Sequence, residues 1–283
     1  MRTEEQVLNQ LLDFARGSEL ICAVWMNGSR VNPNVKHDIF CDYDVVYAVT
    51  DVRPFVADQS WISHFGELIM LQLNEFTDNG ALGYIFLMLF SDGVRIDLAF
   101  DPLETIPAFL NDTLTLVLLD KDKRLPPLPP PNDSGYQPQK PTRKEFDETI
   151  NEFFWCSNNF AKGVWRGELT YAKFMYDGIL QDCLVKLLGW YVGIRTEWKV
   201  TPGFHGKWLK LHLPPEVWAA LEKTYAGADE EQMWAALFAA GGLVRSVGIE
   251  VAGALGYQYP LGDDQRMTEY WRRVRALPKD ADS

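Results

Sequence analysis

Residues 124 to 141 read RLPPLPPPNDSGYQPQKP, and seven prolines in that span forbid a continuous helix or a central strand. The stretch reads as an extended, semi-rigid connector, and the hydrophobic pattern changes across it. Before it, short β-type runs dominate: ICAVWMNG (21–28), DYDVVYAVT (42–50), YIFLMLFS (84–91) and VRIDLAF (94–100). Helical patterns lie near 3–16 and 59–73, and Ser91-Asp92-Gly93 between the last two runs is a hairpin signal. After the prolines the spacing is helical near 143–162, 168–194, 214–224, 229–255 and 264–276. The expected architecture is an α+β N-terminal domain with a mixed sheet over 1–125, a connector over 126–142, and an all-helical domain over 143–283. No internal repeat is present.

With 283 residues, 47% hydrophobic and 13% aromatic, each half is long enough to bury a core. Acidic residues outnumber basic ones by 39 to 27, giving a net charge of −12. Duplex nucleic acid is thereby excluded as a partner, because such binding rests on neutralising phosphates with Lys and Arg. An acidic surface suits a cationic ligand, or serves solubility alone. The N-terminal MRTEEQVLNQ is too polar and acidic for a signal peptide, and no apolar run reaches the ~18 residues of a membrane helix. Cys22, Cys41, Cys156 and Cys183 are scattered, with no C-x-x-C pair. A monomer in the cytoplasm, without membrane contact, is expected.

The chemistry is concentrated in GSRVNPNVKHDIFCDYDVVY, residues 28–47. Strand side chains alternate, so Asp42 and Asp44 share one face while Tyr43 and Val45 take the other. Two like charges on one face repel, and a cation between them relieves the conflict. In VRIDLAF the same alternation puts Asp97 on a face with Arg95 and Ala99. If the two strands are neighbours, Asp97 completes a cluster of three carboxylates, hard oxygen ligands suited to Mg²⁺. Two such ions about 3.5–4 Å apart serve in-line displacement at phosphorus. Gly28 permits close backbone approach, Ser29 offers a hydroxyl and an amide, and Arg30 orients Asp38 or the loop; together they form a small phosphate cradle. A purely structural alternative has Asp42 capping a turn, Asp44 at a wet sheet edge and Asp97 paired with Arg95. There is no P-loop, no G-x-G-x-x-G after a strand, and no His spacing suited to zinc.

Gly28-Ser29, Asp42-x-Asp44 and a later strand carrying Asp97 resemble the signature of the DNA polymerase β-like nucleotidyltransferases. More narrowly, the chain resembles the aminoglycoside 6-adenylyltransferases, through segments such as YIFLMLFSDGVRIDL (84–98), KGVWRGEL (162–169), LLGWYVGI (187–194) and LGYQYPLGDD (255–264). The resemblance implies a nucleotidyltransferase sheet that holds MgATP and a helical domain that closes the cleft. It implies transfer of AMP to a streptomycin hydroxyl with release of pyrophosphate. Ser29 would then touch the triphosphate, Asp42 and Asp44 would ligate magnesium, and Asp97 would ligate metal and help activate the acceptor. Lys207, with Lys162 and Arg166 as weaker candidates, would reach the phosphates. Streptomycin carries two guanidinium groups, for which Glu168, Asp177 and Asp182 are the candidate partners. Cys183 and the stretch TPGFHGK depart from the family pattern, both on the acceptor side. Two other readings are a nucleotidyltransferase with a different small-molecule or protein acceptor, and a non-catalytic protein that sequesters a cationic ligand.

Overall fold

The computed structural model describes residues 1–78, 80–106 and 111–281. The chain forms two compact units, Met1–Gly135 and Tyr136–Ser283.

In the first unit, helix α1 (Glu4–Gly17) starts at a capping box: the Thr3 hydroxyl accepts from Gln6 N, and Gln6 Oε1 accepts from Thr3 N at 2.9 Å. Val7, Leu11 and Ala15, four residues apart, bury one stripe of this helix. The sheet has six strands, β1 (Ile21–Asn27), β2 (Tyr43–Val49), β3 (Leu68–Asp78), β4 (Ala81–Phe90), β5 (Arg95–Pro102) and β6 (Leu116–Asp120). Their order is β3-β4-β5-β2-β1-β6. β2 and β5 run parallel and the other pairs antiparallel, so the sheet is mixed.

Alternation decides what each face does. Tyr43, Val45, Tyr47 and Val49 of β2, with Ile96, Leu98 and Phe100 of β5, are buried in one core with the α1 stripe. Burying a side chain of that size contributes about 1.5–3 kcal/mol each, so this face holds the unit together. The opposite face carries a much smaller cluster of Ala23, Trp25, Val46, Ala48, Ala99 and Ile106. Asp44 and Asp97 stand on that sparse face, where carboxylates interrupt no large core.

The N-terminus is anchored by Arg2, which donates to Asp92 through its backbone N and Nε, both at 2.9 Å, in the β4–β5 turn. The hairpin expected at Ser91-Asp92-Gly93 is present, with Gly93 at φ +83°. The helix expected over 59–73 is not. Ser60–Phe65 is a 3₁₀ turn that ends at Gly66, φ +131°, and the chain then continues as the edge strand β3. Its apolar residues suggested a helix because an edge strand leaves some of them exposed: Ile69 is 60% and Met70 64% accessible. The β3–β4 hairpin and β6 were not anticipated. Asn79-Gly80 is the sequence signal for the former.

The chain belongs to the first unit as far as Gly135, so the division between the units falls within the connector expected over 126–142. Asn132 N donates to Thr113 O at 2.8 Å and Asn34 Nδ2 to Asp133 Oδ1 at 3.0 Å, which fastens the end of the proline-rich stretch to this unit.

A short helix, α2 (Arg53–Ala57), follows β2 in the first unit. The second unit is helical. It contains α3 (Arg143–Arg166), α4 (Leu169–Lys173), α5 (Gln181–Arg195), α6 (Leu209–His212), α7 (Pro215–Glu222), α8 (Glu230–Leu255) and α9 (Leu261–Ala276). A Thr142–Glu145 capping box starts α3, and Gly167 in the left-handed region ends it. The pattern expected over 168–194 is interrupted by a π-helical stretch, Phe174–Leu180, between α4 and α5. α8 is long and apolar enough to cross a membrane by length and composition, yet Trp234, Leu237, Val244 and Val251 on it are buried in the core of the unit. That core also includes Phe146, Phe153, Leu184 and Trp271.

Candidate active site

The turn after β1 and the starts of β2 and β5 bring the expected residues of the first unit together. Parallel pairing sets Asp44 directly opposite Asp97, and antiparallel pairing sets Asp44 opposite Asn27. Asp42 immediately precedes β2. Arg95 lies two residues before Asp97 on the same strand face, and its guanidinium clasps that carboxylate: Nε to Oδ1 at 2.8 Å and Nη2 to Oδ2 at 2.6 Å. Its Nη1 is 3.4 Å from Asp42 Oδ2. The hydrogen bonds to Asp97, then the charges of Asp97, Asp42 and Asp44, push the Arg95 pKa further up, so this group is a permanent cation. The positive charge that two same-face aspartates demand is thus supplied, in this structure, by a side chain. The pairing of Asp97 with Arg95 is the structural alternative drawn from the sequence, and it coexists with the gathering of the carboxylates.

Gly28 has a specific reason to be glycine. Its φ is +76°, and a Cβ there would lie 2.3 Å from Asp44 Oδ2, inside any permitted contact. Gly28→Ala is therefore expected to push the Asp44 carboxylate off its place and strain the turn, lowering turnover at least about tenfold with only a modest fall in melting temperature. Steady-state rates beside a thermal melt check this; a Gly28→Ala enzyme with wild-type turnover contradicts it.

Ser29 opens a short 3₁₀ turn, Ser29–Val31, and its Oγ lies 3.3 Å from Cys41 Sγ. Arg30 turns inward. Its Nε donates to Asp42 O at 3.2 Å, Nη2 to Cys41 O, and Nη1 to Glu4 at 3.1 Å, while the guanidinium stacks 3.7 Å from the Tyr43 ring. Arg30 therefore orients the loop that delivers Asp42, as one of the two sequence expectations had it. The contact expected with Asp38 is not formed; Asp38 Oδ1 instead accepts from Phe40 N. With a side chain only 7% exposed and these partners, Arg30 is committed to holding the shape of the loop. A cavity of about 350 Å³ opens beside this arrangement, bordered by Glu4, His37, Phe40, Asp42 and Arg95.

The carboxylate oxygens suit a hard divalent cation in kind. Among the described residues, however, no three such side chains stand ready as a metal-binding group, and Arg95 occupies the position between Asp42 and Asp97. The donor chemistry fits, and in the structure the guanidinium supplies the positive charge among these carboxylates.

The remaining expected residues belong to the second unit. Asp177, on the π-helical stretch, and Asp182, on the first turn of α5, border one cavity of about 580 Å³ together with Lys173, Gln181, His205 and Tyr225. That volume is in the range of small-ligand sites, and π-helical insertions recur at functional positions. Asp177 is paired with Lys173 at 3.0 Å. Gln181, which sequence reasoning missed, donates through Nε2 to Thr224 O at 3.0 Å. Glu168 is exposed, lies 3.9 Å from Arg166, and does not border this cavity. Lys207 ends the TPGFHGK turn, in which Gly203, His205 and Gly206 all have positive φ, and its Nζ sits 4.8 Å from the Trp208 ring. Lys162 is half-buried on α3. Cys183 is buried, and burial pushes its thiol up to about 12, so it stays neutral and inert.

Known proteins match this chain over nearly its whole length. The family model for streptomycin adenylyltransferase matches residues 1–274. An aminoglycoside 6-adenylyltransferase of Campylobacter jejuni is 37% identical over 269 residues, 94% of this chain and 93% of the relative. One from Bacillus subtilis (strain 168) is 34% identical, covering 95% and 97%. A crystal structure of an aminoglycoside 6-adenyltransferase from Bacillus subtilis aligns with a TM-score of 0.50 and 28% identity, over 98% of this chain and 100% of that one. With a family match from the first strand to the last helix and two relatives above 30% identity, the chain belongs to the streptomycin adenylyltransferase family.

Proposed function

We propose that the protein transfers AMP from ATP to a hydroxyl of an aminoglycoside, streptomycin first among them, releasing pyrophosphate and thereby inactivating the antibiotic. The single observation that carries this reading is the placement of Asp44 opposite Asp97, with Asp42 just before it on the chain and Gly28 close against Asp44. In this reading the first unit performs the phosphoryl chemistry and the second recognises the acceptor.

Backbone N–H and Oγ at Ser29 cradle the triphosphate, and Arg30 fixes the loop that presents Asp42. Asp42, Asp44 and Asp97 would hold Mg²⁺, which when bound supplies positive charge to the triphosphate. The acceptor oxygen attacks the α-phosphorus, the bond to the bridging oxygen breaks, and pyrophosphate leaves with its electrons. A hydroxyl needs to lose its proton as the new bond forms, and Asp97 is the carboxylate proposed to take it. Both Asp97 oxygens accept from Arg95 in the structure, so release of the guanidinium would free a further edge of Asp97 for that proton. Lys207 and Lys162 are the proposed cations of the second unit toward the phosphates. Asp177 and Asp182 are proposed to meet the guanidinium groups of the acceptor, with Glu168 the weakest of the three because it lies off the cavity.

The test is pyrophosphate release from MgATP across a panel of aminoglycosides. Streptomycin is expected to give the fastest release, and chelation of divalent metal to abolish it. Release with none of the panel would leave the acceptor assignment without support.

A further inference from the structure

We propose that Arg95 is a built-in counter-cation that competes with divalent metal for Asp97 and Asp42, a positioning residue that sets how readily the site loads. The inference rests on the reading that these carboxylates hold the metal. Three observations carry it. The guanidinium makes a bidentate clasp on Asp97, at 2.8 and 2.6 Å, and reaches 3.4 Å from Asp42, so it holds the same oxygens a cation would need. Asp97 is 7% exposed, and the clasp lets that nearly buried carboxylate persist without metal. The Arg95 side chain, in contrast, is 45% exposed and borders the 350 Å³ cavity beside Asp42, so it can leave without losing a buried environment.

The fork of N–H donors covers the inner edge of the Asp97 carboxylate, and a guanidinium and a divalent ion held on one carboxylate repel each other. Metal binding is therefore weakened while the clasp holds and strengthened as Arg95 swings away. An arriving triphosphate adds negative charge beside the cavity and gives the displaced guanidinium a new partner, which couples metal loading to nucleotide arrival. The same movement releases the oxygens of Asp97.

The test measures Mn²⁺ binding to the full-length, nucleotide-free protein by the loss of its free-ion electron paramagnetic resonance signal. Arg95→Gln should bind Mn²⁺ at least about tenfold more tightly than wild type, since a unit positive charge at hydrogen-bond range has been removed. Arg95→Lys, which keeps the charge and loses the fork, should fall between the two. Without metal, Arg95→Gln should melt lower than wild type, and saturating Mn²⁺ should raise its melting temperature by more than it raises that of wild type. A merely structural role would produce the lower melting temperature without tighter metal binding. Arg95→Gln affinity equal to or weaker than wild type, with Arg95→Lys no tighter, overturns the inference. The underlying metal assignment fails on a different result: the double variant Arg95→Gln/Asp44→Asn binding Mn²⁺ as tightly as Arg95→Gln alone.

Discussion

Asp44→Asn is expected to lower turnover by about 10³-fold or more while the protein stays folded. The amide keeps the shape of the side chain, and the register that sets residue 44 opposite Asp97 is fixed by backbone pairing along β2 and β5. What changes is charge. Asp42, Asp44 and Asp97 together with Arg95 carry a net negative charge, so removing one carboxylate relieves repulsion in the metal-free protein. Stability is therefore expected to be unchanged or slightly higher without metal, by no more than about 1 kcal/mol for such partly solvated charges. The catalytic loss has no such compensation, because an amide oxygen is a poor substitute for a carboxylate toward a hard divalent ion. Urea melts and steady-state rates on the same preparation check both halves. Turnover above about a tenth of wild type in Asp44→Asn contradicts the assigned role.

Asp182→Ala is expected to weaken streptomycin binding by about 2–3 kcal/mol and to leave MgATP binding unchanged. Its environment separates it from the two neighbouring candidates. Asp177 already pairs with Lys173 at 3.0 Å and its side chain is 52% exposed, so its loss is expected to cost no more than about 1 kcal/mol. Glu168 lies off the cavity, beside Arg166, and its truncation should stay within about 0.5 kcal/mol. Among the described residues Asp182 has no ion-pair partner, and it borders the cavity from the first turn of α5. Asp182 is exposed before binding; an acceptor that fills the cavity shuts water from the guanidinium–carboxylate pair, and a pair desolvated in that way is the one whose breaking is costly. Calorimetry on the three variants at two salt concentrations checks the ranking. A uniform loss that fades with salt marks a general effect of the acidic surface, and equal wild-type affinity in all three removes the acceptor from this cavity.

The sequence disclosed those parts of the site that depend on local pattern. Alternation put Asp42, Asp44 and Asp97 on one face, and the φ-permissive Gly28 before Ser29 pointed to close backbone approach; the structure leaves no room for a Cβ there beside Asp44 Oδ2. Helices after the prolines were legible because apolar spacing of three and four persists for many turns, as in α3 and α8. What escaped was set by non-local contact. β3 exposes apolar side chains at a sheet edge, so its pattern resembled a helix. The inward turn of Arg30 depends on the carbonyls of Cys41 and Asp42, brought there by the 28–42 loop. No spacing rule places Gln181 and Tyr225 on one cavity wall, since the segments between them fold back through α6 and α7. Arg95 was visible as a partner for Asp97, but not as the group reaching Asp42 as well.

The central claim is that AMP is moved from ATP to the aminoglycoside. Mass spectrometry of streptomycin recovered after incubation with the protein, ATP and Mg²⁺ tests it most directly. The account predicts a product heavier by one adenylyl group, formed in equal amount to the pyrophosphate released and absent with Asp44→Asn. Streptomycin recovered with its mass unchanged, while the protein binds it tightly, would contradict the account and mark the chain as a binder of cationic ligands.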